Sequence, residues 1–303
     1  MTKTITSAAE LVLSTTNWLD ESSKIRTCCD LRLSINQLTT HHWKMRADLV
    51  QFPRLGVCGI GLCRTKMEEL GFARSLEFLK KSGLKATSLS FAGGFAGANG
   101  MGFKSALKDA GRAVKLASMA GADVLVVTTG DRGTHTVKHA MRNARHAMRK
   151  LADYAAKYGV KIALMPMRPT GTRNLSMCSS LDDALEVLGR VNHPFLKLAF
   201  HTFHLGDTPD LLTRIPEIAP HVASVHISDL DCPKASAYDQ KKPGDGKLNL
   251  PGIVKAFDDA GYRGAYELNI WSERLWKSDY STLLGGCVRY LHEQVLQPTN
   301  SVS

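Results

Sequence analysis

The chain of 303 residues is 44% hydrophobic and 22% charged, an ordinary make-up for a soluble globular protein and enough to bury one full core. Its uncharged apolar runs all fall short of the ~18 residues that a membrane helix needs, so no transmembrane segment is expected. The first thirty residues carry Lys3, Glu10, Asp20, Glu21, Lys24 and Arg26 and no long apolar stretch, so a cleaved secretory leader is not expected and a cytoplasmic protein is.

From residue 31 onward, short apolar or β-branched runs alternate with amphipathic helical stretches, the pattern of a parallel sheet wrapped by helices. The predicted strands are 33–37, 56–62, 86–91, 124–129, 161–165, 196–200, 223–228 and 264–270. Gly83, Gly121, Gly159 and Gly261 each stand just before a strand, where a left-handed residue ends a helix. Eight such units without a composition break, and without a Gly-rich phosphate loop after the first strand, predict one closed (β/α)₈ TIM barrel over 31–297. Residues 1–30 read as a short N-terminal extension, helical or partly disordered, and 298–303 as a tail. The irregular stretch 229–246, rich in Lys, Pro, Gly and Asp, reads as an active-site cover, a partner contact or a disordered loop.

Seven cysteines without a Cys-x-x-Cys pair suggest reduced thiols rather than a disulfide framework or a thiolate zinc site. The net charge of +11 favours anionic ligands by long-range attraction. Much of the excess lies on one predicted helix, where Lys138, Arg142, Arg145, Arg149 and Lys150 fall between apolar Val137, Met141, Ala144, Met148, Leu151 and Ala155. The apolar set has helical period, so the cations form a solvent face. With no aromatic interleaving or zinc-finger spacing, nucleic acid is not an expected partner.

Barrel enzymes work at the C-terminal ends of their strands. Those ends carry Met165 and Arg168, His201 and His204, His226 and Asp229, and Glu267. His201, His226 and Glu267 would supply two imidazoles and a carboxylate, a set that suits Zn, Mn or Fe.

The segments Ile162-Ala163-Leu164-Met165-Pro166, Leu198-Ala199-Phe200-His201-Thr202-Phe203-His204, Val225-His226-Ile227-Ser228-Asp229, Pro243-Gly244-Asp245-Gly246 and Gly261-Tyr262-Arg263-Gly264-Ala265-Tyr266-Glu267 resemble the sugar isomerase and epimerase group of the xylose-isomerase-like barrels. The resemblance covers roughly residues 31 to 295. It implies a Glu, Asp, His, Glu metal site on strands five to eight, with the two glutamates moving a proton beside a sugar carbonyl. It further implies that His226 matches the metal histidine, Glu267 the last glutamate and His204 a substrate-contacting histidine. Met165 and His201 stand where the first glutamate and the aspartate belong. Met165 offers neither a base at neutral pH nor a hard oxygen.

Two readings of the site follow: a softer divalent metal held by His201, His226 and Glu267, or a metal-free pocket where Arg168 and the histidines hold a sugar acid or sugar phosphate. Asp131, and Trp271 by stacking, are further substrate-binding candidates. Weaker ones are Arg132, Asn36, Gln37, His41, His42, Trp276, Lys234 and Lys241. The expected function is an isomerase or epimerase of a carbohydrate or sugar acid, or a one-base lyase variant, with Glu267 and His204 as catalytic groups. The alternative is a non-catalytic sugar-binding barrel or partner subunit. An abasic-site endonuclease relative would need more metal ligands than the strand ends supply. Barrels of this group often pair, so a homo-oligomer is expected.

Overall fold

The computed structural model describes residues 30–97, 100–169 and 175–296; the expected extension up to residue 29 and the tail from 298 lie outside them. In chain order the elements are β1 Asp30–Asn36, α1 Met45–Arg54, β2 Val57–Cys63, α2 Arg64–Leu70, α3 Phe72–Ser82, β3 Lys85–Gly93, α4 Phe103–Met119, β4 Val124–Thr128, α5 Val137–Ala156, β5 Lys161–Leu164 and α6 Leu181–Val191. Then come β6 Leu196–His201, α7 Thr202–Leu205, α8 Leu211–Ile218, β7 Val222–Ile227, α9 Leu250–Asp259, β8 Tyr266–Leu268 and α10 Tyr280–Tyr290. The strands pair in sequence order, all parallel, and β8 closes on β1 through Leu33↔Tyr266, Ser34↔Glu267 and Ile35↔Leu268. This is the (β/α)₈ barrel that the sequence predicts.

Local chemistry sets the element ends. Gly83, Gly121, Gly159 and Gly261 all take positive φ, between 68° and 85°, as the helix-to-strand turns require. Ser180 and Asp183 form a reciprocal capping box at the start of α6. β8 is shorter than the expected 264–270: the Asn269 amide still bonds the β7 carbonyl of Ile227 at 2.9 Å, but beyond it the Thr39 hydroxyl takes the Ile270 amide at 3.1 Å.

The main core lies between barrel and helices. Leu33, Ile35, Ile60, Leu62, Leu125, Ile162, Leu198 and Val225 point outward against helix residues such as Phe52, Leu151 and Phe257, and each fully buried aliphatic side chain contributes roughly 1.5–3 kcal/mol. The basic helix α5 packs through Ala140, Ala144, Ala147, Met148, Leu151, Ala152 and Ala155. The expected contact Val137, the first residue of the helix, is 57% exposed instead, and burial begins three residues on at Ala140.

Cys58 is disulfide-bonded, unlike the reduced thiols expected throughout, whereas Cys63, Cys178, Cys232 and Cys287 are free. Cys58 sits on the face of β2 opposite to Gly59, so the bond does not enter the barrel. Among the described residues no helix is long and apolar enough to cross a membrane.

Candidate functional site

Alternate residues of each strand face the barrel interior, and that interior is divided. On β4, β5 and β6 the inward residues Val124, Val126, Ala163, Met165 and Ala199 form an apolar cluster with Met167. On β1, β3, β7 and β8 the buried residues include Ser34, Asn36, Ser88, Ser224, His226, Glu267 and Asn269. The polar half holds the chemistry.

Glu267 lies in this half, 1% exposed, and protein donors engage both of its oxygens. Asn36 Nδ2 donates to Oε1 at 2.6 Å, Thr87 Oγ1 to Oε2 at 2.7 Å, and Ser88 Oγ lies 3.0 and 2.9 Å from the two. Since Thr87 gives its proton to the carboxylate, Ser34 must donate to Thr87 across 2.7 Å. Adjacent residues Thr87 and Ser88 both reach inward because the β2–β3 register shifts at this point, with Ile60 facing Ala86 and Gly61 facing Ser88. Gly61 opens the space: a Cβ there would overlap Glu267 Oε1 and Asn36 Nδ2.

Two residues toward the C-terminal end of β8, Asn269 meets His226. The Trp271 indole, which can only donate, reaches Asn269 Oδ1 at 3.0 Å. Asn269 therefore turns its amide nitrogen to His226 Nδ1, at 2.9 Å. With Nδ1 accepting, the proton of the neutral imidazole sits on Nε2 and goes to Ser224 Oγ, also at 2.9 Å. Burial holds the His226 pKa below its usual value, with the nearby Glu267 charge opposing; Glu267 Oε1 stands 3.4 Å from Nδ1.

His201 stacks on His226 with ring centroids 5.7 Å apart, and edge-on to His204 at 5.0 Å. Its Nδ1 accepts the Phe203 amide at 3.3 Å, so its proton is on Nε2, which is buried and makes no well-formed hydrogen bond, with only the Asn269 carbonyl acting on the ring as an acceptor. Burial, then His204, His226 and Arg168, hold its pKa well below normal; only the Asn269 carbonyl pulls the other way. His204 accepts the Arg168 amide on Nδ1 at 3.3 Å, and burial followed by the Arg168 charge pushes its pKa down to about 3. All three imidazoles are neutral at physiological pH.

Arg168 ties the mouth together, while its Nε is buried without a hydrogen-bond partner. Its guanidinium is paired with Asp207, reaches the Pro233 carbonyl at 3.2 Å and lies over Phe203. Asp131 accepts its neighbour's Arg132 amide in the loop after β4. Asn36 and Gln37 are consumed internally, Gln37 holding Asp48 at 2.8 Å and the Cys63 amide at 2.8 Å. Trp271 and Tyr238 stack at 6.0 Å, Phe91 meets Trp271 edge-on, and His41 stacks on Trp276 at 4.5 Å. The expected cover 229–246 is pinned down: Asp229 accepts the Leu230, Gly244 and Leu248 amides, and Gln240 accepts from Ser228 and from the Trp271 amide. Lys241 pairs with Asp239, while Lys234 is exposed.

A family model described as the xylose isomerase-like TIM barrel matches residues 50–285. The chain belongs to that family. No curated protein matches it. Among solved structures, protein SMc04130 from Sinorhizobium meliloti 1021 is 26% identical, with a TM-score of 0.80 over 86% of this chain and 97% of that one. The IOLI protein with a binding zinc atom is 18% identical, with a TM-score of 0.74 over 86% and 96%. The 3-keto-D-glucoside 4-epimerase from E. coli is 14% identical, with a TM-score of 0.72 over 86% and 99%; these last two likenesses concern the fold.

A divalent metal does not fit the side chains of this xylose isomerase-like barrel as they stand. His226 has both nitrogens in hydrogen bonds, Glu267 has both oxygens engaged, Met165 is a thioether in an apolar wall, and the free His201 nitrogen carries a proton rather than a lone pair. Among the described residues no three His, Cys, Asp or Glu side chains are grouped to hold an ion. The sequence reading missed Asn269, Thr87, Ser88 and Gln240. The alternating glycines Gly59 and Gly61 were the available signal, since glycine at every second position of a strand marks a close approach on one face.

Proposed function

We propose that this barrel binds a small polyhydroxylated molecule, a carbohydrate or sugar acid, at its C-terminal mouth by hydrogen bonding and aromatic contact, without metal-assisted proton transfer. The observation that carries the reading is the donor chain from Trp271 through Asn269 and His226 to Ser224, which occupies the histidine that would otherwise ligate a metal. What is left for a ligand is a set of unpaired donors beside aromatic rings, the Arg168 Nε among them. His201 Nε2 and Gln240 Nε2 are buried without partners, and a buried donor left unpaired costs about 1–3 kcal/mol, which a ligand hydroxyl or carbonyl would recover. Trp271 and Tyr238 offer faces on which a sugar ring can lie.

Calorimetric titration with a panel of sugars, polyols and sugar acids, in chelator and then with Mn or Zn, tests this. Binding of equal strength under both conditions is the expected result. Binding that requires the metal would sink it.

A catalytic reading, with Glu267 as base and His204 as second group in an isomerisation or dehydration, keeps one point in its favour: a carboxylate beside His226 inside the barrel. It requires Glu267 to shed donors from Asn36, Thr87 and Ser88 before it can take a proton. Turnover by the purified protein that is lost in Glu267→Gln, on any member of the panel, would replace the binding reading with this one.

A further inference from the structure

We propose that the groove between α4 and α5, on the outside of the barrel, is a second binding site, for a small organic anion with an apolar body. The groove has a volume of about 610 Å³, within the range of small-molecule sites. Its floor is Leu107, Gly111, Leu151 and the Tyr154 ring, and its rim is Lys104, Lys108, Arg112, Lys115 and Lys150. No carboxylate lines it.

The charge is a property of the whole helix pair. α4 and α5 together carry nine lysines and arginines against two aspartates. Those two serve other elements: Asp109 is paired with Arg64 at 2.7 Å, and Asp153 faces His193 at 3.2 Å. Cations gathered around a recess raise the local concentration of anions more than the same cations on a convex surface.

Gly111 supplies a separate observation. Glycine inside a helix is destabilising relative to alanine, and here neither backbone nor packing demands it. The residue lies mid-helix without a positive φ, and a Cβ would meet the Tyr154 ring at an ordinary 3.7 Å. What the missing side chain provides is depth. An apolar floor deepened in this way selects a ligand with a hydrocarbon or aromatic body, and the lysine rim selects a phosphate, sulfate or carboxylate on it. The barrel mouth takes no part, so this site stands or falls separately from the proposed function.

Isothermal titration with octyl phosphate below its micelle concentration, beside inorganic phosphate and octanol, tests the assignment. The expected result is one saturable site for octyl phosphate, at least tenfold weaker binding of the other two, and at least tenfold loss in Gly111→Leu and in the double variant Lys108→Glu/Lys115→Glu. Thermal melting shows that each variant is folded, and either one alone decides. Absence of saturable binding, equal binding of octanol or phosphate, or binding unchanged in a folded variant would overturn it.

Discussion

Asn269 Nδ2 lies 2.9 Å from His226 Nδ1, and this contact fixes both the tautomer of the histidine and its availability. An aspartate at 269 can only accept, so it would draw the proton onto Nδ1 and raise the His226 pKa. Nitrogen NMR of the imidazole is expected to report the Nε2–H tautomer in the wild type and the Nδ1–H form in Asn269→Asp. The same variant is expected to gain Co²⁺ absorption bands that the wild type lacks. An Nδ1–H tautomer in the wild type would refute the donor chain.

Glu267 serves as the acceptor that satisfies Asn36, Thr87 and Ser88. Replacing it with alanine strands the buried donors Asn36 and Ser88 and the half-buried Thr87, for a loss of about 1–3 kcal/mol per buried unsatisfied group, while Glu267→Gln retains part of the network and loses less. Urea denaturation measures both. Ligand affinity at the mouth is expected to hold in the glutamine variant.

The fold was legible because the strands are short apolar runs between amphipathic helices, several of which end on a glycine, and all eight form at or near their expected places. The site was legible only to within a strand. Glu267 and Asn269 share one face of β8, so spacing alone cannot tell which of them stands against His226, and the carboxylate drew the assignment. Thr87 and Ser88 both point inward through a register shift that a period of two cannot anticipate. Asp48 and Lys66 are buried, and no strand-end position or motif marks them in the sequence.

That pair joins α1 to the start of α2 at 2.8 Å, with Asp48 also held by Thr40 at 2.6 Å and Gln37 at 2.8 Å. Burial raises the Asp48 pKa to about 6 against the pull of Lys66, and lowers that of Lys66. Lys66→Met alone leaves an uncompensated buried charge and is expected to cost about 3–5 kcal/mol. Asp48→Asn combined with Lys66→Met is expected to cost clearly less, and a chemical-denaturation double-mutant cycle reads the difference.

The histidines set the acid limb of stability. A lowered folded pKa means that the unfolded chain binds more protons, so the contribution of His204 is complete above about 6.5 and is lost as pH falls toward about 3. Asp48, raised from 3.8 to about 6, acts in the opposite sense across that window, but His201 and His226 side with His204. Stability is therefore expected to fall on acidification below pH 6.5. The His204→Gln variant should show a shallower slope, by about one proton or 1.36 kcal/mol per pH unit, in urea melts taken at intervals from pH 7 to pH 4. An unchanged slope would mean that His204 is charged in the folded protein.

A barrel mouth that binds its ligand without a metal should be purified without one, and metal content decides the point. Protein purified from cells supplied with Mn, Zn and Fe, and analysed by plasma mass spectrometry beside His226→Ala, is expected to hold far less than one equivalent of any of the three in both forms. Near-stoichiometric metal that disappears in His226→Ala would contradict the claim and return His201, His226 and Glu267 to the role of ligands.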